Sequence, residues 1–247
     1  MSLIFIRGYR RMLVLMASLL LIPISGLALD APASLVPAGV SPGSQFYLIF
    51  TTSSPYVATS TNMSTYDNVV NAEAQSGSSL PGVGSLTWKA LGATSTVDQC
   101  KPFIDLTKPV YTVTKVLVST TASAMFSGGF TPILSSYPGV QPDGADVNQN
   151  LVWTGCNALG SPDTANGGQQ LGTNSPSYGY PLERTSLWIS LQQYQNTRLQ
   201  KLYAVSPLLT APIPPSAVPT LSEWTQLMLG LMVMMLIGWH FHRERSY

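Results

Sequence analysis

Gln45-Phe46-Tyr47-Leu48-Ile49-Phe50-Thr51-Thr52 is a short apolar and aromatic run that ends in Thr-Thr. Its length and its richness in β formers predict a buried strand. Residues 53–62 beyond it are polar and read as a loop. Ser64 to Ala74 (STYDNVVNAEA) predicts a helix, with Ser64 or Thr65 as N-cap and Asp67 in the first turn. Tyr66, Val69, Val70 and Ala74 fall on one face at helical spacing. Gln75 to Ser85 is Gly/Ser-rich and predicts turns, and Leu86 to Leu91 (LTWKAL) predicts a strand. Val97 to Leu106, which carries Cys100, reads as irregular. Pro109 to Val118 (PVYTVTKVLV) predicts a strand or hairpin. A helical turn is expected at Ala122 to Phe126, ended by Gly128-Gly129. Two long polar loops, Pro132 to Asn150 and Asn157 to Pro181, flank a short core strand at Leu151 to Thr154 (LVWT). Ser186 to Leu191 (SLWISL) and Gln200 to Val205 (QKLYAV) complete the β pattern. The expected class is α+β with β predominating, as one domain over residues 45–206. No internal repeat is visible.

The flanks read differently. Residues 1–28 have the form of a signal peptide. Arg7, Arg10 and Arg11 are followed by an apolar stretch from Met12 to Ile24, with small residues in Gly26-Leu27-Ala28 at the cleavage position. That predicts the Sec-type export machinery as a partner; the alternative is an uncleaved N-terminal anchor. Residues 29–44 are punctuated by Pro and Gly and read as a lead-in. Residues 207–217 carry Pro207, Pro212, Pro214 and Pro215 and predict a stiff, extended linker. Residues 218–247 comprise a polar heptapeptide, an apolar run and a basic end. No charge occurs from Leu227 to Trp239. Trp224 to Phe241 spans about 18 residues, or roughly 27 Å as a helix, close to the thickness of a hydrocarbon core. Trp224 and Trp239 near its ends, with Arg243 and Arg245 following, predict one C-terminal transmembrane helix with the C-terminus inside. The competing reading is a buried helix of a soluble protein.

Only 9% of residues are charged. Between Asp30 and Thr210 seven Lys and Arg stand against nine Asp and Glu, with no basic run, which argues against nucleic acid. The two histidines, His240 and His242, both lie in the basic end. The central domain therefore lacks the base for Ser-His-Asp or Cys-His chemistry and the usual ligands for zinc. Carboxylate-dependent hydrolysis, with Asp143, Asp146 or Asp163 as its residues, stays open. Cys100 and Cys156 are the only cysteines, and in an oxidising compartment they predict a disulfide rather than two free thiols. Trp88, Trp153 and Trp188, embedded in strand patterns, are expected in the core rather than as sugar platforms. No cofactor is predicted.

Val218-Pro219-Thr220-Leu221-Ser222-Glu223-Trp224, with the apolar run and basic end behind it, closely resembles the IPTL-CTERM sorting signal of Gram-negative bacteria, a relative of PEP-CTERM tails. It departs at Val218, where Ile is usual, and at Thr225, where Gly is usual. The resemblance implies processing by an exosortase-like sorting protease; a plain single-pass anchor is the alternative.

The central domain is similar to the endostatin-like branch of the C-type lectin-like fold. The carrying residues are Phe46-Tyr47-Leu48-Ile49-Phe50, the helix around Tyr66 to Ala74, Thr87-Trp88-Lys89-Ala90 and Pro109-Val110-Tyr111. They continue through Ala124-Met125-Phe126-Ser127-Gly128, Val152-Trp153-Thr154-Gly155 and Leu202-Tyr203-Ala204-Val205-Ser206. The resemblance implies a looped β domain with its first and last strands adjacent. Neither Ala72-Glu73-Ala74 nor Ala204-Val205-Ser206 carries the Cys of the usual lectin-like bridge, so a Cys100–Cys156 bond would be a different one. Gln141-Pro142-Asp143 matches a galactose-type sugar string of calcium-dependent lectins, but the partner Trp-Asn-Asp is missing. Asp146-x-Asn148-x-Asn150 starts like a calcium loop, yet Leu151 and Asn157 stand where Gly and Glu are needed. The expectation is an exported envelope protein with a non-catalytic binding or structural ectodomain. It would sit in the inner membrane facing the periplasm, or be sorted onward to the cell surface, with extracellular polysaccharide as a candidate partner.

Overall fold

The computed structural model describes residues 28–131, 133–148, 150–165, 169–214 and 225–235. The expected signal peptide up to residue 27 and the heptapeptide Val218 to Trp224 lie outside the described residues. The fold is mixed and mostly β. In chain order, β1 (Leu29–Asp30) is followed by a 3-10 turn (Ala33–Leu35), β2 (Gln45–Thr51) and α1 (Met63–Ser76). Next come β3 (Lys89–Ala93), β4 (Asp98–Gln99), β5 (Val110–Thr112), β6 (Leu117–Ser119) and a 3-10 turn (Ser123–Phe126). The chain then forms β7 (Val152–Trp153), β8 (Ser177–Gly179), a 3-10 turn (Ser186–Trp188), β9 (Gln192–Gln193), β10 (Lys201–Val205) and β11 (Leu209–Thr210).

The expected strand at 45–52 is the hub. β2 runs antiparallel to β10, with Phe50 opposite Ala204 and Ile49 opposite Val205. It runs parallel to β5 and antiparallel to β11. Along its edge away from β2, β10 bonds β7 through Lys201 and Leu202 and β3 through Tyr203 to Val205. Alternate side chains of β2 point to opposite faces, and both faces are covered. Phe46, Leu48 and Phe50 join a core with Tyr66, Val70 and Ala74 of α1 and with Trp88 and Trp153. Tyr47 and Ile49 join a second core with Phe103, Trp188, Tyr203 and the two cysteines. The same alternation divides β10, with Leu202 and Ala204 in the first core and Tyr203 and Val205 in the second.

α1 begins before the expected residue. Its N-cap is Asn62, not Ser64 or Thr65: Asn62 Oδ1 accepts a hydrogen bond from the Ser64 N–H at 3.1 Å. Asp67 does more than sit in the first turn. It accepts from Lys89 Nζ at 2.8 Å, the Ala90 N–H at 2.9 Å and Gln99 Nε2 at 3.1 Å, which pins the helix to β3 and its neighbour. Asn71 exchanges two 2.8 Å hydrogen bonds with the Trp88 backbone.

Three expectations are corrected. Ser186 to Leu191 is not a strand: Ser186–Trp188 is a 3-10 turn, where Thr185 Oγ1 accepts from the Leu187 N–H and Trp188 turns into the second core. The polar stretch Asn157 to Pro181 is not all loop, because it contains the buried strand β8. The lead-in and the start of the linker belong to the fold. β1 pairs with β11, β11 pairs with β2, and Ala31, Leu35, Leu208, Leu209 and Ala211 are buried. Between Pro207 and Pro212 the N–H groups of Leu209 and Thr210 remain available for pairing, so proline ends the sheet only after residue 210. The compact unit accordingly extends to Pro212, and a separate unit starts at Ile213. Within that second unit residues 225–235 are helical. Among the described residues no helix is long and apolar enough to cross a membrane; much of the expected span from Trp224 to Phe241 lies outside them.

Cys100 and Cys156 form a disulfide with Cα atoms 5.8 Å apart, fully buried in the second core. Gly155 beside it has φ +63°, and a Cβ there would lie 2.6 Å from the Ala93 carbonyl oxygen. Gly179 of β8 faces the Trp188 carbonyl so closely that a Cβ would overlap it.

Thiol titration of the unfolded, unreduced protein is expected to find no free thiol. The bridge closes a separation of 56 residues. Replacing both cysteines by Ser is therefore expected to remove about 4 kcal/mol in urea unfolding, the loop-entropy value. Gly179→Ala is expected to cost about 3 kcal/mol in the same assay, as an overpacked core does.

Candidate functional site

The three tryptophans are fully buried and each indole N–H is engaged. Trp88 donates to the Val83 carbonyl at 2.9 Å, Trp153 to Tyr56 at 3.0 Å and Trp188 to Met125 at 3.0 Å. They are core residues, not platforms. The three candidate carboxylates do not converge on one site. Asp143 caps its own turn, accepting from the Ala145 N–H at 2.9 Å, and Asp146 pairs by backbone with Val140 in the same turn. Asp163 is buried and tied to β8, accepting from Ser177 Oγ at 2.5 Å and from the Ala165 N–H at 3.1 Å. Among the described residues no group of three His, Cys, Asp or Glu side chains could hold a metal ion.

A different place on the domain has the features of a site. β7, β8 and β9 lie side by side, with Trp153 opposite Tyr178 and Tyr178 opposite Gln192. The chain leaves β9, turns between Gln195 and Arg198, where the Arg198 N–H donates to the Gln195 carbonyl, and enters β10. This path builds a ladder of rings from core to solvent. Trp153 meets Tyr178 edge-on at 6.3 Å, and Tyr178 meets Tyr194 edge-on at 6.3 Å. The Arg198 guanidinium lies over the Tyr194 ring, 5.0 Å from its centre. Beside this stack is an open groove of about 310 Å³ lined by Asn150, Leu151, Tyr194, Arg198, Leu199 and Gln200.

Among the described residues the groove lining holds no carboxylate. The ion pairs among the described residues are Lys89–Asp67 and Lys108–Asp105, so Arg198 has no acidic partner there. Tyr194 is 41% exposed. Gln200 is fixed by backbone bonds in both directions with Tyr56, at 2.6 and 2.9 Å. Its buried side-chain Oε1 has no hydrogen-bond partner among the described residues.

Behind the groove wall lies a buried polar network. Glu73 of α1 accepts from the Ser53 N–H at 3.0 Å, the Ser53 hydroxyl, the Ser54 N–H at 3.3 Å and the Tyr56 hydroxyl at 2.8 Å. Burial pushes the Glu73 carboxyl up, but the hydrogen bonds from Ser53, Tyr56 and Ser54 outweigh it and hold it below the usual carboxylate range. Burial, and then the Glu73 bond and charge, push Tyr56 up to about 12. Lys201 is buried and donates to the Ser53 carbonyl at 2.8 Å. Burial lowers its pKa, against the opposing charges of Glu73 and Asp143. The network holds residues 53–56 in place, and Tyr56 in turn carries Gln200 and Trp153. A Glu held ionised by four donors positions neighbours; it is not poised as a general acid.

The sequence pattern points to none of this machinery. Tyr194 sits alone between glutamines (QQYQN), outside any periodic pattern, and the candidate sugar platforms were all tryptophans. One usable signal was Lys201, a charge inside the otherwise apolar strand pattern QKLYAV. No model of a known protein family matches the chain, and no curated protein matches it either.

Glu73 has a folded pKa below its unfolded value, so the unfolded chain takes up the proton first. The stabilisation it provides is present above the usual Glu value of about 4.3 and is lost as pH falls through the folded value. Urea unfolding between pH 3 and 7 is expected to show stability falling on the acid side. Glu73→Gln is expected to cost about 1–3 kcal/mol at pH 7 and to flatten that acid limb. An unchanged acid slope in the variant would assign the effect to other carboxylates.

Proposed function

We propose that this chain is an exported envelope protein whose central domain is a non-catalytic binding module, held or sorted at the membrane by its C-terminal tail. The observation that carries the binding role is the groove beside Tyr194 and Arg198: a half-exposed ring, a guanidinium without an acidic partner among the described residues and the exposed amide of Asn150. Aromatic bodies with a few convergent polar groups are what small-molecule and sugar sites present. Extracellular polysaccharide is the ligand class that fits an exported domain of low charge.

Export and retention are supported by the signal-like N-terminus, by the likeness of the tail from Val218 to Tyr247 to an IPTL-CTERM signal, and by a buried disulfide, which persists in oxidising compartments. In this reading Sec-type machinery exports the chain. The membrane receives the tail and an exosortase-like protease acts on it, and the domain stands in the periplasm or at the cell surface. The C-type lectin-like resemblance belongs to the same proposal. The mixed sheet is compatible with it, and the single disulfide is not the usual lectin-like one. The rival reading, a carboxylate-dependent hydrolase on Asp143, Asp146 or Asp163, is disfavoured because Asp143 and Asp163 already accept local hydrogen bonds and Asp163 is buried away from the turn that holds the other two.

Glycan-array binding of the full chain, with and without calcium and beside a hydrolysis screen, tests the reading. Binding that survives chelation, with no turnover, is the expected result. Turnover abolished by Asp143→Ala, Asp146→Ala or Asp163→Ala would establish the hydrolase instead. In cell fractionation, replacing Pro219-Thr220-Leu221 by Ala is expected to block onward sorting and leave the protein in the inner membrane.

A further inference from the structure

We infer that the groove at Tyr194 and Arg198 recognises a carboxylate-bearing sugar, a uronate residue of an acidic polysaccharide, without calcium. The inference rests on reading the domain as a binding module and names the chemistry of its ligand. Arg198 is the centre of the argument. A guanidinium is a planar fork of five donors that matches a carboxylate bidentately. Here the fork is laid over the Tyr194 ring, so part of its orientation is fixed before a ligand arrives. Tyr194 is itself braced by Tyr178, and Tyr178 by the buried Trp153, so the stack is anchored to the core. Among the described residues no carboxylate answers Arg198, and none lines the groove. An anion arriving there meets an attractive charge with no competing acid.

The remaining lining suits a sugar rather than a bare anion. Asn150, which is exposed, brings an amide group that can both donate to and accept from hydroxyls. Tyr194 and Leu151 supply apolar surface for the C–H face of a pyranose. The volume of about 310 Å³ lies at the low end of small-ligand sites, the scale of one or two sugar residues and not of a folded partner. The groove is open to solvent at its rim, where Leu199 is 65% exposed, so a polymer can pass with one residue seated.

The test is titration calorimetry of the full chain with oligogalacturonate, its methyl-esterified form, a sulfated oligosaccharide and an acidic peptide, all in chelator. Oligogalacturonate is expected to bind, and esterification to weaken it at least about tenfold, the loss of one charge-assisted pair. Arg198→Gln is expected to weaken the acid form by a similar factor without affecting the ester. Tyr194→Ala is expected to weaken both. Unchanged unfolding midpoints in these surface variants show that folding is not the cause. Equal binding of acid and ester, full affinity in Arg198→Gln, or preference for the sulfated sugar or the peptide would overturn the inference while leaving the domain a binding module. No binding to any saccharide would remove both readings.

Discussion

From Phe46 to Thr51 every side chain of β2 is buried, and the rest of the domain is arranged around that constraint. A strand buried on both faces needs a cover above and below and a partner for each backbone group. β10, β5 and β11 supply most of the ladder. Irregular segments supply more: the Tyr47 N–H donates to the Pro109 carbonyl, the Thr51 N–H to Val140 and the Leu48 N–H to Ser206 Oγ. Because the side-chain period is two, a one-residue slip against β10 would exchange Phe46, Leu48 and Phe50 with Tyr47 and Ile49. The two faces are not interchangeable. One accepts a helix and two tryptophans, the other a disulfide and a Tyr–Phe–Trp cluster. The register is thus fixed from both sides at once.

What the strands cannot do, covalent and polar ties do. Several strands are two or three residues long, too short to be stable as isolated pairs. Long connections between them are held by the Cys100–Cys156 bond, by Asp163 accepting from Ser177 and Ala165, and by Glu73 gathering Ser53, Ser54 and Tyr56. Each of the two carboxylates satisfies several donors, and leaving those unpaired would cost about 1–3 kcal/mol apiece. This explains how a chain with 9% charged residues places some of its few carboxylates inside.

The same physics decides what the sequence could reveal. β2, β10 and α1 were legible because burial there marks the residues themselves, as a short apolar run rich in β formers in the two strands and as an apolar face at helical spacing along Tyr66, Val70 and Ala74. The disulfide was legible from the count of two cysteines beside a signal-like N-terminus. Ser186–Trp188 was misread because a 3-10 turn that buries one tryptophan has too few residues to show a period. β8 was missed because Ser-Tyr-Gly is buried by its neighbours, with Gly179 chosen for the closeness of Trp188, and not by its own hydrophobicity. The groove was illegible because its parts come from the end of one loop and the turn before β10, and only the fold brings Asn150 next to Tyr194 and Gln200.

That placement also bears on why this edge suits the proposed binding role. β2 and β10 are sealed by partners on both sides, so variation there disturbs two cores. Toward β9 the sheet thins to two-residue pairs and the covering loops become polar. Rigidity is transmitted outward through rings instead, from Trp153 to Tyr178 to Tyr194, while the Glu73 network holds Tyr56 and through it Gln200. Residues 194–199 can therefore change without unpacking the core, yet they stand on a support that does not move with them. A recognition surface needs both properties, and in this domain the outer end of the aromatic ladder provides them together.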